Sequence, residues 1–280
     1  MDLYVQKKDQ SFKLSEIGLR VIDIDDSSAS LEVDSRTVKG RSGNIFAGAR
    51  YGLKKIKISG RLIVPTIQSF MDKKDDVNGL LVDSEPFYIT KMYPTKELLY
   101  DFELPGAKSG DLDLIKQAHT AWKYRWKVVI DAEPEYSFIG KSAQGLKYNF
   151  KMSFVTAELP FGETASRDIA IINGSFLYAG TAPYSQLEYP FAVKLTSSGT
   201  QTSFFLEIDG RRWTYQHSAP LAVGQTITIT GISTSLNGIN VTARTNYEYF
   251  VLKPKVNKTI NFLSDFQGTI QIMGFKEVYK

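Results

Sequence analysis

Lys147-Tyr148-Asn149-Phe150-Lys151-Met152-Ser153-Phe154 alternates without a break: Tyr148, Phe150, Met152 and Phe154 oppose Lys147, Asn149, Lys151 and Ser153. Successive side chains of a β-strand point to opposite faces, so this stretch has one packed face and one wet face. The same period recurs in Lys55–Val64 (KIKISGRLIV), where Ile56, Ile58, Leu62 and Val64 share a side. It recurs again in Lys123–Ile130, with Tyr124, Trp126, Val128 and Ile130 together. Strands wet on one face belong to antiparallel sheets, so the chain is expected to be mostly β.

Helical signals are few. Thr66–Asn78 follows Pro65, places Ile67, Phe70, Met71 and Lys74 at helical spacing, and ends at Asn78-Gly79. The apolar positions of Asp111–Trp122 suit either a second short helix, with Asp111 and Asp113 at its start, or a loop. One or two helices that do not alternate with strands exclude a doubly wound α/β fold. The texture changes near Thr156–Ser166, and Gly162–Ser166 reads as a linker between two domains. Beyond it, Asp209-Gly210 separates Phe204–Ile208 from Arg211–Tyr215, and Asn237-Gly238 separates Ser233–Leu236 from Ile239–Ala243. Both dipeptides tolerate the positive φ of tight hairpin turns, and short strands at this spacing predict a β-sandwich.

Composition narrows the function. The 280 residues suit two domains, and 42% hydrophobic content allows each a core. There is no cysteine, which excludes disulfides, Cys-based zinc sites and thiol catalysis. Thirty-four Lys and Arg against 30 Asp and Glu give a net +4, too little to argue for nucleic-acid binding. Met1–Gln10 lacks the apolar core of a signal peptide, and no apolar run suits a membrane span. His119 and His217 fall in different expected domains, and no metal, nucleophile-elbow or phosphate-loop spacing appears. Asp23-Ile24-Asp25-Asp26 reads as a turn and Asp72–Asp76 as a solvated helix face, since neither has calcium-loop spacing. No cofactor is expected, and enzymatic activity is not.

Two stretches remain as candidate sites. Gly210-Arg211-Arg212-Trp213 could form a sugar-stacking site with Trp213 as platform and Arg211 and Arg212 as donors; the alternative is a hairpin with a buried aromatic. Val38–Gly52 (VKGRSGNIFAGARYG) reads as a glycine- and arginine-rich loop ahead of the strand Leu53–Val64. Glycine lets another backbone approach closely, and arginine offers forked donors to a partner's carbonyls or carboxylates. Such a loop is either a plain surface hairpin or a subunit contact.

The run Gly40-Arg41-Ser42-Gly43, then Gly48, Tyr51 and Lys54–Gly60, resembles the N-terminal signature of distal tail proteins of long-tailed phages. Glu85–Ile89 (EPFYI), Lys151–Phe161 (KMSFVTAELPF), Tyr189–Leu195 (YPFAVKL) and Asn246–Asn261 resemble later stretches of that family in the same order. The resemblance implies an N-terminal, β-sandwich-like, ring-forming domain at 1–160 and a C-terminal galectin-like β-sandwich at 161–265. It also implies a terminal strand at 266–280 that returns to the first domain. It further implies a structural role at the virion tail tip, with assembly in the host cytoplasm. The expected partners are five further copies in a homohexamer, the tail tube protein, the tail hub or tail-associated lysin, and receptor-binding or baseplate proteins. DNA would pass the lumen without specific binding, so Lys55, Lys57 and Arg61 are not expected to line it continuously. In this reading Gly40, Arg41, Ser42, Gly43, Gly48, Arg50 and Tyr51 are assembly residues.

Overall fold

The computed structural model describes residues 1–95, 118–172 and 174–280. The chain divides into two compact units, Met1–Gly162 with Lys280, and Glu163–Tyr279.

The first unit runs β1 (Asp2–Gln6), β2 (Ser11–Lys13), β3 (Leu19–Asp25), β4 (Leu31–Thr37), β5 (Asn44–Tyr51), β6 (Lys55–Val64), α1 (Ile67–Leu81), β7 (Phe87–Pro94), β8 (His119–Ala121), β9 (Trp126–Ser142) and β10 (Gly145–Thr156). Eight of these strands form one antiparallel sheet in the order β2-β1-β7-β9-β10-β6-β3, with β8 beside β7. Strands β1 and β3, far apart in that order, come into contact, so the sheet curls around its own core. The alternation read from the sequence sets that core: Ile56, Ile58 and Leu62 of β6 and Phe150, Met152 and Phe154 of β10 are all buried. The two strands pair with Phe150 opposite Gly60 and Met152 opposite Ile58. Glycine is required at 60, because a Cβ there would sit 2.2 Å from the Arg20 carbonyl and 2.5 Å from the Phe150 ring.

Helix α1 starts as expected, with Thr66 as N-cap accepting from the Ser69 amide at 3.1 Å. Its end differs from expectation: Asn78 and Gly79 lie inside the helix, which continues to Leu81. Burial of Val77 and Leu81 outweighs the roughly 1 kcal/mol that glycine costs a helix. The packed side is therefore Phe70, Val77, Leu80 and Leu81, while Ile67 and Met71 face solvent. Residues 111–117 of the second candidate helix lie outside the described residues, and its last part, His119–Ala121, is strand. Asp23 and Asp25, expected in a turn, belong to β3.

The second unit follows β11 (Gly162–Glu163), which stands at the division. It contains β12 (Arg167–Ala170), β13 (Ser175–Leu177), β14 (Tyr184–Ser185), β15 (Ala192–Ser197), β16 (Gln201–Ile208), β17 (Arg211–Leu221) and β18 (Thr226–Ile229). Then come β19 (Thr234–Leu236), β20 (Ile239–Asn240), β21 (Val251–Leu252), β22 (Thr259–Ser264), β23 (Gly268–Phe275) and β24 (Val278–Tyr279). A six-stranded sheet, β12-β23-β15-β18-β19-β20, accompanies a four-stranded one, β13-β22-β16-β17. Phe176 of β13 meets Phe275 of β23 edge-on at 6.1 Å, so aromatic side chains join the two layers of a β-sandwich. Both expected hairpins form, with positive φ at Asp209 and Gly210 and at Asn237 and Gly238.

Two stretches of this half carry specific contacts. Strand Gly268–Phe275 pairs with β12 and β15 inside the second unit, since its alternating Ile270 and Ile272 complete the sandwich core. Glu163 and Thr164, read as linker, are held in place: Lys276 donates to the Glu163 carboxylate at 2.8 Å, and the Thr164 amide bonds to the Glu277 carbonyl at 3.0 Å.

Candidate assembly site

The stretch Val38–Gly52 is not a loop throughout. Val38–Gly43 is the tip of a hairpin and Asn44–Tyr51 its return strand, β5, paired antiparallel with β4 from Leu31–Tyr51 to Thr37–Asn44. These strands pair with no other strand among the described residues, and nearly every residue in them is exposed. The hairpin is thus an arm of about 20 Å, at ~3.3 Å per residue.

Local chemistry explains its shape. Gly40 and Gly43 adopt φ of +82° and +78°, which only glycine holds without strain, and the Arg41 amide closes the first turn on the Val38 carbonyl at 3.2 Å. Across the end of the arm, Thr37 donates to the Asn44 side-chain oxygen and Asn44 donates to the Ser35 hydroxyl, each at 3.3 Å. At the base, the Gly52 amide bonds to the Ser30 carbonyl at 2.8 Å, and Tyr51 meets Phe161 edge-on at 5.3 Å. Lys54 follows, only 2% exposed, with its ammonium over the Trp126 ring at 5.3 Å. Burial pushes that ammonium below its ordinary value of 10.5, while Asp26 pulls in the opposite direction. The Lys54 and Thr156 residues exchange hydrogen bonds of 3.0 Å, tying the arm's base to β10.

The arm has two faces. The pairing puts Leu31 opposite Tyr51, Val33 opposite Ala49 and Ser35 opposite Phe46. These residues form one side, and Leu31, Val33, Tyr51 and Phe46 are exposed, Phe46 by 66%. A bulge between Asp34 and Ser35 leaves Ala47 without a pair and brings Phe46 onto the apolar side. Glu32 and Arg50 lie on the other side, joined by a 2.7 Å ion pair that is exposed and therefore worth ~0–1 kcal/mol. An isolated two-stranded hairpin is marginal in water, and an uncovered apolar side on one calls for a partner surface.

Of the expected assembly residues, Gly40, Arg41, Ser42 and Gly43 gather at the tip. Gly48 pairs with Asp34, and Arg50 and Tyr51 stand near the base on opposite sides. Leu31, Val33 and Phe46 were not among them. Their signal was the alternation of Leu31-Glu32-Val33, short and interrupted by the bulge.

The proposed sugar platform is not formed. Trp213 is fully buried beside Phe204, with ring centroids 6.0 Å apart, because it lies on the core side of β17. Arg211 pairs with Glu248 at 2.9 Å and Arg212 with Glu207 at 2.9 Å, each guanidinium lying on a neighbouring ring, Tyr249 or Phe205. No group of three or more metal-ligating side chains exists among the described residues. No described helix is long and apolar enough to cross a membrane.

A curled β-sheet unit carrying an exposed arm is followed by a β-sandwich, with one α-helix among the described residues. The chain belongs to the phage tail protein family defined by the RIFT-related domain, whose model matches residues 7–161. No curated protein sequence matches it at a significant level. Among solved structures it is similar to the Dit protein of phage SPP1, at 11% identity and a TM-score of 0.64, covering 99% of each chain. That protein is described as a paradigm of the hub adsorption apparatus in phages infecting Gram-positive bacteria. Chains of the phage P2 baseplate in its activated conformation, with Ca and with Sr, are similar at 10% and 9% identity and TM-scores of 0.39 and 0.38, each comparison covering 99% of this chain and 97% of the other. The distal tail resemblance read from the sequence is borne out at the level of family and fold.

Proposed function

We propose that this chain is a hub subunit at the tip of a phage tail. Six copies close into a ring by heterologous contacts, each using its β4–β5 arm to grip a neighbour. The ring joins the last ring of tail tube protein to the tail hub or tail-associated lysin. The second unit, in the position of a galectin-like sandwich, offers attachment to receptor-binding or baseplate proteins. The observation that carries the reading is the arm itself: an amphipathic hairpin whose apolar side stands in water. Covering Leu31, Val33 and Phe46 on a neighbour would contribute roughly 1–2 kcal/mol each, since each is about half exposed to begin with. The family supports the location, and the fold shared with SPP1 Dit supports the kind of assembly.

The test shortens the arm without unpairing it. Replacing Thr37–Asn44 by Asn-Gly leaves Arg36 and Ile45 joined by a two-residue turn. The variant is expected to melt like the parent and to be missing from tails viewed by negative-stain microscopy. Normal tails built both from it and from a variant with Leu31, Val33 and Phe46 all changed to Ser would remove the arm from the assembly.

A further inference from the structure

On the outward side of β3, β6, β10 and β9 lies a concave site of about 360 Å³ that the arm does not touch. Two register breaks shape it. In β3, Ile22 is left without a pair between Val21 and Asp23, and in β9, Glu133 and Pro134 stand together against Met152. Bulges bend the strand that carries them. Here they fall on the two strands that flank the straight β6–β10 pair, so the sheet dips between them. The walls carry Asp23 and Asp25 on one side and Glu133 and Glu135 on the other, with Lys57 and Lys151 between. All six are exposed, and none makes an ion pair with a described residue. Acid outnumbers base there.

The arm's end has the opposite character. From Arg36 to Asn44 it carries Arg36, Lys39 and Arg41 and no acidic residue. These three are also exposed and make no ion pair with a described residue. A charge left unpaired at the end of a projecting arm, and opposite charge left unpaired in a bulge-shaped groove, are complementary features of one interface. The groove lies in the same unit as the arm, so every copy presents both. This is the arrangement that a head-to-tail contact needs, since one patch of each subunit must meet a different patch of the next.

We propose that the groove between β3 and β9 receives the basic arm tip of a second copy of this chain. The inference rests on the reading of the arm as a subunit contact and names its receptor. Arg36, Lys39 and Arg41 face the carboxylates of Asp25, Glu133 and Glu135, and the glycines of the tip let its backbone lie close to the groove floor.

Charge reversal with rescue tests it. D25K/E135K and, separately, K39E/R41E are each expected to cut incorporation into tails about tenfold or more, and all four changes together to restore most of it. The uncharged pair D25N/E135Q, which adds no like charge to the sheet, is expected to lose incorporation in the same direction. Melting curves show whether each variant is folded. Because the chain has no cysteine, R41C/E135C offers an unambiguous second readout. In assembled tails it should give a ladder of covalent multimers on a non-reducing gel, where R41C alone and E135C alone do not. Tolerated reversals without a ladder, alongside an arm-shortened variant still missing from tails, would place the tip elsewhere and overturn this proposal alone. An arm-shortened variant that builds normal tails would overturn this proposal, and normal tails from the apolar-side variant as well would overturn the reading of the arm. Reversals that fold and disrupt assembly, yet are not rescued by the swapped tip, would also overturn the pairing.

Discussion

Trp213 and Phe46 are both large aromatics on exposed-looking hairpins, and they end in opposite places. Trp213 faces the sandwich core, packed among Phe204 and Tyr215. Phe46 is 66% exposed on the arm. Truncation should therefore act differently at the two. Trp213→Ala is expected to destabilise the second unit by about 3–5 kcal/mol through the cavity it leaves, measurable by denaturant unfolding. A change of that size locates the indole's role in packing. An unaltered midpoint with altered glycan retention would return it to the surface. Gly60 shows the same logic in reverse, because the missing Cβ is what lets Phe150 lie against β6.

At the scale of elements, local signals and burial compete. Helix α1 begins where Thr66 caps it and ends where its buried residues end, three positions past Asn78. Thr66→Ala is expected to cost about 1 kcal/mol, read as a lowered unfolding midpoint with the arm and its assembly unaffected. No change would mean that the helix start is held by packing rather than by the cap. The arm is the contrasting case. Among the described residues its two strands have no third strand and no core, so its order rests on hairpin pairing, on the Ser30–Gly52 closure and on Tyr51 against Phe161. Lys54 and Thr156 then fasten it to the sheet. A rigid base with an uncovered tip suits an element that docks after folding.

For the whole molecule, the buried tyrosines set an alkaline limit. In the second unit, burial pushes Tyr178, Tyr184 and Tyr189 well above their ordinary value of 10.0. In the first unit, burial pushes Tyr136 up to about 12. Above pH 10.0 the unfolded chain releases protons that the folded chain keeps, so the contribution of these residues is complete below that pH and drains as pH rises through the shifted values. The second unit, with three such phenols, is expected to lose stability more steeply than the first between pH 10.0 and about 12. Thermal melts followed by Tyr absorbance and by circular dichroism would show it, and a flat stability profile across that range would contradict it.

Much of this architecture was legible in the residues alone. Period-two alternation in Lys55–Val64 and Lys147–Phe154 specified which side of each strand is buried, because the pleat leaves no other choice. Asp209-Gly210 and Asn237-Gly238 specified two hairpins, because few residues tolerate their backbone. The glycine-arginine run at Gly40–Gly43 marked the arm's tip, and the ordered motifs marked the family. Tertiary structure decided the rest. It showed that Asn44–Tyr51 is a strand, since β4 and β5 recognise each other only through pairing across the tip. It turned Asp23 and Asp25 from a turn into the wall of a groove, since neither bulge has a strong local signature. It also buried Trp213, since the side of a hairpin that faces the core is set by the sheet it joins and not by the turn that starts it.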